Sequence, residues 1–172
     1  MKNRDDENVL FRHLVNRINK KISWVLIFLF FISSSFSQNQ FNVLVFTKTA
    51  GFHHQSIHEG VAAMRGLAKR HSFDMQWHED ASRFNDDFLA QFDVIVFLNT
   101  TEDILNTDQQ LAFQNFIRKG KGFVGIHSAS DTEYNWPWYN ELVGKMFYIH
   151  PREQTAMVEV VNANFPGMEA FP

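Results

Sequence analysis

Asp93-Val-Ile-Val-Phe-Leu98 is a short β-branched and aromatic run closed by Asn99-Thr-Thr101. It reads as a strand buried on both faces, the kind found in parallel sheets covered by helices. Its surroundings agree. Upstream, Phe41-Asn-Val-Leu-Val-Phe-Thr47 has the same character, and Phe73-Asp-Met-Gln-Trp77 alternates as a second strand would. Downstream, Gly122-Phe-Val-Gly-Ile-His127 reads as a fourth strand whose glycines permit close backbone approach. A further strand is expected at Ala156 to Val161.

The intervening segments read as helices. Ser56-Ile-His-Glu59 has the pattern of a capping box, and Ile57, Val61, Met64 and Leu67 then repeat on one helical face as far as Arg70-His71. Asn85 can cap a short helix, with Phe84 and Leu89 as a hydrophobic staple and Asp86 and Asp87 in its positive first turn. Thr107-Asp-Gln-Gln110 reads as a second capping box, followed by inward-facing Leu111, Ala112, Phe116 and Ile117, with Gly120 suited to the left-handed stop. Trp136 to Val143 reads as a helix with Pro137 at its first position.

The order βαβαβαβα, then β, predicts an α/β fold: a flavodoxin-like three-layer sandwich with a mostly parallel sheet in strand order 2-1-3-4. Such sheets bind ligands beyond the C-terminal strand ends, near the switch between the first and third strands. The loops after the first, third and fourth strands are therefore where chemistry is expected.

Composition narrows the function. The chain has 172 residues, a formal charge of −3 and no cysteine. The acidic balance argues against a nucleic-acid protein held by phosphate charge. The absence of cysteine excludes disulfides, thiolate metal sites and a Cys nucleophile. Residues 1–21 carry Lys2, Arg4, Arg12, Arg17, Lys20 and Lys21, and the apolar run Ile22 to Ile32 leads to Ser33-Ser-Ser-Phe-Ser37. A basic region, a short apolar core and small residues at Ser35 and Ser37 predict a signal peptide over 1–37 and an exported domain over 38–172, periplasmic or extracellular. The core is short for a membrane span, so a membrane enters only if the leader stays as an anchor.

His127 is the sharpest single residue. It ends a strand at a tight turn flanked by small residues, where a nucleophile elbow would carry Ser or Cys, and imidazole there can act as a general base or a metal ligand. The bland alternative is a His bonded only to loop carbonyls. Ser128 is a weaker candidate, since Gly-x-Ser-x-Gly is absent. His53, His54 and His58 follow the first strand, and with His127 and Glu102 or Asp131 they could hold a divalent metal such as zinc. No fixed metal signature supports that set. His58 reads equally as an exposed first-turn residue. Trp136 and Trp138 could stack on a sugar or belong to the core, and at this spacing core is favoured.

Taken together, Lys48-Thr-Ala-Gly-Phe-His-His-Gln-Ser-Ile57, Gly122-Phe-Val-Gly-Ile-His-Ser-Ala129, Trp136-Pro-Trp-Tyr139 and Phe147-Tyr-Ile-His-Pro151 resemble the trehalose-utilisation (ThuA-like) family. The resemblance runs over about residues 41–172. It implies a class I glutamine amidotransferase-like fold in which His127 stands at the position of the amidotransferase Cys. It also implies carbohydrate catabolism, of trehalose or of 3-keto-glycosides made by a partner sugar oxidoreductase. Carried over by motif, the implied site is His54, His127, Asp131 and His150, with His53, Glu102, Ser128, Trp136 and Trp138 as substrate contacts. Family members usually continue further, so the domain is expected to be truncated at its C-terminus. A non-catalytic carbohydrate-binding module and a zinc-dependent hydrolase are the alternatives on the same fold.

Overall fold

The structure, a computed structural model, describes residues 16–18 and 39–168. The leader expected over 1–37 lies outside the described residues, 16–18 apart. No helix among the described residues is long and apolar enough to cross a membrane.

Four strands, β1 (Asn42–Phe46), β2 (Asp74–His78), β3 (Val94–Leu98) and β4 (Gly122–Ile126), form one parallel sheet in the order β2-β1-β3-β4. This is the expected 2-1-3-4 order. The helices are α1 (Ile57–His71), the short α2 (Asp86–Leu89), α3 (Thr107–Arg118) and α4 (Pro137–Val143).

Strand alternation divides the core into two layers. Val43, Val45, Val96 and Leu98 pack with Ile57 and Val61 of α1. Leu44, Phe46, Ile95 and Phe97 point to the other face and meet Phe88, Phe92, Phe113, Phe116 and Tyr139. Because both faces are covered, β1 and β3 are apolar at every position of the core, which is why they read as continuous runs. Much of the chain's Phe content is spent on the second layer. The Phe97 ring stacks on Phe113 at 5.2 Å and meets Phe46, Phe123 and Tyr139 within 6 Å. Such pairs add roughly 0.5–1.5 kcal/mol each beyond their buried area.

Several local expectations need correction. Ser56 does stand at the N-cap of α1, but its side chain makes no cap; its Oγ accepts from Asn99 Nδ2 at 3.0 Å instead. A loop partner brought in by the sheet has outcompeted the local bond. The capping box of α3 is Asn106 with Gln109, one residue before the expected frame. Leu111 is exposed and Phe113 is buried, while Ala112 and Phe116 point inward as expected. Leu67, at the end of the α1 stripe, is also exposed, and Ala68 is buried in its place. The strand expected at Ala156 to Val161 does not form: Met157, Val158 and Val161 are nearly fully exposed and pair with no strand. Apolar and β-branched residues supply propensity, but a strand also needs a ladder partner.

Other signals hold. Asn85 caps α2 by accepting from Phe88 N–H at 2.9 Å, Pro137 opens α4, and Gly120 takes φ +82°.

Candidate functional site

The polar residues of interest sit where the strand order switches. Beyond β1 the chain stays alongside the β3 loop: Ala50 N–H donates to the Thr101 carbonyl at 2.9 Å, and Thr101 Oγ1 donates to the Phe52 carbonyl at 3.1 Å. This holds the loop that carries His54. Beyond β4, the chain turns at once into a single 3-10 turn, His127–Asp131. His127 has φ +54°, a left-handed conformation that is uncommon and costs a non-glycine residue free energy. The turn is tight enough that a Cβ on Gly125 would lie 3.1 Å from Ala129 Cβ. The small residues around His127 are thus a packing requirement of the elbow.

The turn brings two imidazoles together. His54 Nε2 and His127 Nε2 lie 3.1 Å apart with the rings at 81°. One of them carries a proton and donates it to the other. On its far side, His54 Nδ1 is 3.4 Å from Ser128 Oγ. If the Ser128 hydroxyl donates to Nδ1, His54 is the donor to His127; with the opposite polarity, His127 is the donor and its Nδ1 keeps a lone pair for a substrate. Burial is the main influence that lowers the His54 pKa, with the neighbouring His127 next; Asp131 acts against both.

His54, His127, Ser128, Ser130, Asp131, Phe147 and His150 line one pocket. Five of the residues expected from sequence are therefore brought to one place. Four are not. His53 turns toward Thr49, with Nδ1 3.3 Å from Oγ1. Glu102 lies beside the pocket; its Cγ covers Gly51 and its N–H donates to the Asp131 carbonyl at 2.7 Å. Trp136 and Trp138 pack against Phe113 and each other at the second core layer, the arrangement favoured for them from spacing. His58 is exposed on α1 and meets the edge of Trp77.

Three residues escaped the sequence reading of the site. Ser130 and Phe147 line the pocket. Tyr134 donates to Asp131 Oδ1 and contacts the Phe147 carbonyl at 2.9 Å, and Phe147 N–H donates to the Ser130 carbonyl at 2.8 Å. The segment that carries His150 is thereby pinned to the elbow. Burial, and then the bond to Asp131, push the Tyr134 phenol well above its usual range. The only sequence hint was its position three residues after Asp131.

The convergence of two Nε2 atoms resembles two ligands of a divalent ion, but among the described residues no group of three or more His, Asp or Glu is arranged to hold a metal. Two imidazoles fall short of the three or four protein ligands of zinc sites. What the arrangement does offer is proton transfer: a coupled imidazole pair with a carboxylate in the same pocket.

Comparison with known proteins agrees with the fold. The chain is similar in structure to a ThuA-like protein from Bacteroides uniformis ATCC 8492, with 22% identity and a TM-score of 0.53, covering 65% of this chain and 47% of that one. The chain thus spans about half the length of that protein, and the likeness speaks to the fold. No curated protein matches. The family model described as trehalose utilisation (ThuA) matches residues 42–172, so the chain belongs to the ThuA family, whose name ties it to carbohydrate utilisation in general.

Proposed function

We propose that the protein is an exported enzyme of carbohydrate catabolism that acts on a glycoside or a 3-keto-sugar by imidazole acid/base chemistry. The observation that carries this reading is the His54–His127 contact in a pocket that also holds Asp131. A C–H next to a ketone is acidic enough for an imidazole to remove its proton. The electron pair moves onto the ketone oxygen as an enolate. Where the carbon that lost its proton carries a hydroxyl, the hydroxyl proton passes to the former ketone oxygen and the carbon proton returns at the former ketone carbon, giving isomerisation; alternatively a group on the β carbon departs with a proton from the paired acid, giving elimination. Neither course needs an oxidant. Positioned acid/base catalysis of this kind contributes about 10²–10⁴-fold. The chain has no cysteine for the thioester chemistry of glutamine amidotransferases.

A zinc-dependent hydrolase is the second reading, favoured only by the convergence of the two Nε2 atoms. The test is a panel of oxidised and unoxidised disaccharides given to the wild type and to His127→Ala, with and without chelator. Turnover of a keto-sugar that survives chelator and is lost in His127→Ala supports the proposal. Turnover abolished by chelator and restored by zinc selects the second reading. Binding without turnover would make the protein a carbohydrate-binding module.

A further inference from the structure

The pocket rests on a carboxylate that does not line it. Glu133 is about 1% exposed, among the most deeply buried side chains of the protein. A buried carboxylate is costly unless donors surround it. Here Oε1 accepts from Ile104 N–H at 2.8 Å and Leu105 N–H at 2.7 Å, and Oε2 accepts from Gln110 Nε2 at 2.6 Å. The side chain therefore grips the loop between β3 and α3 from the segment after β4.

The backbone beneath it leads to the pocket. Glu133 N–H donates to the Glu102 carbonyl at 3.1 Å, and Glu102 N–H donates to the Asp131 carbonyl at 2.7 Å. Thr100 and Thr132 hydroxyls bond at 2.8 Å just behind. Both Glu102 (φ +62°) and Glu133 (φ +56°) are left-handed. Two such residues in one small region persist only where the surroundings over-determine them. Three donors on one carboxylate supply that constraint.

We propose that Glu133 is a positioning residue of the pocket: its carboxylate locks the β3 loop to the elbow segment and so sets where Asp131 stands relative to His54. The role rests on reach. An amide of the same length can replace the carboxylate, because its oxygen still accepts from both backbone N–H groups and the Gln110 amide can turn to accept from its NH2 group. A shorter carboxylate keeps the charge and misses the donors. This inference builds on the acid/base reading of the site, but its readout does not depend on turnover.

The experiment compares Glu133→Gln with Glu133→Asp in the whole chain. The ring C–H signals of His54 are titrated by NMR and, where a keto-sugar is turned over, kcat and KM are measured. Positioning predicts a wild-type titration for Glu133→Gln. For Glu133→Asp it predicts a His54 midpoint displaced downward, because Asp131 no longer supports the imidazolium, and a kcat about ten- to a hundredfold lower with KM little changed. Rescue by Gln and failure of Asp together establish the role. The opposite pattern, with Asp near wild type and Gln impaired, overturns it in favour of a charge effect. Two folded variants with the wild-type His54 titration overturn it outright. Should Glu133→Asp not fold, Gln110→Ala removes one anchor and leaves the backbone bonds, and a His54 titration unmoved by it likewise counts against the proposal. If no sugar is turned over by the wild type, the acid/base reading fails, while the titration still decides the role of Glu133.

Discussion

His54 and His127, 73 positions apart in the chain, place their Nε2 atoms 3.1 Å from one another across the gap between the β1 and β4 loops. The hydrogen bond between them makes the two rings one proton-transfer unit. Removing either should therefore cost nearly as much as removing both. The expectation is a loss of about 10²–10⁴ in kcat/KM for His127→Ala, a similar loss for His54→Ala, and strong non-additivity in the double variant. Steady-state kinetics on all three, with calorimetry to show that ligand still binds, checks this. Additive losses would mean that the rings act separately.

Acid should act through the same pair. Because burial and His127 lower the pKa of His54 below its ordinary 6.5, the folded state takes up its proton later than the unfolded chain does. Its contribution to stability is thus complete above 6.5 and falls as pH drops from 6.5 toward the lower folded value. The acid limb of kcat/KM is expected below 6.5 for the same reason. A pH–rate profile beside a pH series of denaturant melts tests both. An acid limb above 6.5 would contradict the assignment.

Two glycines of α1 should respond oppositely to alanine. At Gly66 an added Cβ meets nothing within 4 Å, so the helix gains propensity and Gly66→Ala stabilises by up to about 1 kcal/mol. At Gly60 the Cβ would lie 2.9 Å from Leu98 Cδ2, where α1 rests on β3. Overpacking costs about 1–3 kcal/mol, which outweighs the propensity gain of about 1. Gly60→Ala should lower the denaturant midpoint and Gly66→Ala should raise it.

The Tyr139 hydroxyl donates to the Ala129 carbonyl at 2.8 Å, and the residue is fully buried. Tyr139→Phe leaves that carbonyl without this donor at a cost of about 1–2 kcal/mol. Since Ala129 lies in the elbow turn, kcat should fall as well as the denaturant midpoint. A loss of stability with kcat unchanged would show that the turn holds its shape without the bond.

The two kinds of information divide along physical lines. The β1 and β3 runs, the Asn85 cap, Pro137 and Gly120 were legible because each signal lies within a few residues and depends on local sterics or on burial of a whole segment. Strand order followed from alternation and the rules of parallel sheets. The frames of α1 and α3 were read less well. Ser56 found Asn99, and Asn106 rather than Thr107 began the cap, because competing partners differ by only about 1 kcal/mol. Ala156 to Val161 had the pattern of a strand and no ladder to join. At the site, His127, His54, Ser128, Asp131 and His150 could be named from sequence. Their meeting could not, since it needs a left-handed elbow after β4 placed beside the β1 loop by the sheet. Glu133 and Tyr134 were invisible for the same reason. Their partners include backbone carbonyls and N–H groups, which every residue carries, so only the tertiary structure decides which of them a side chain reaches.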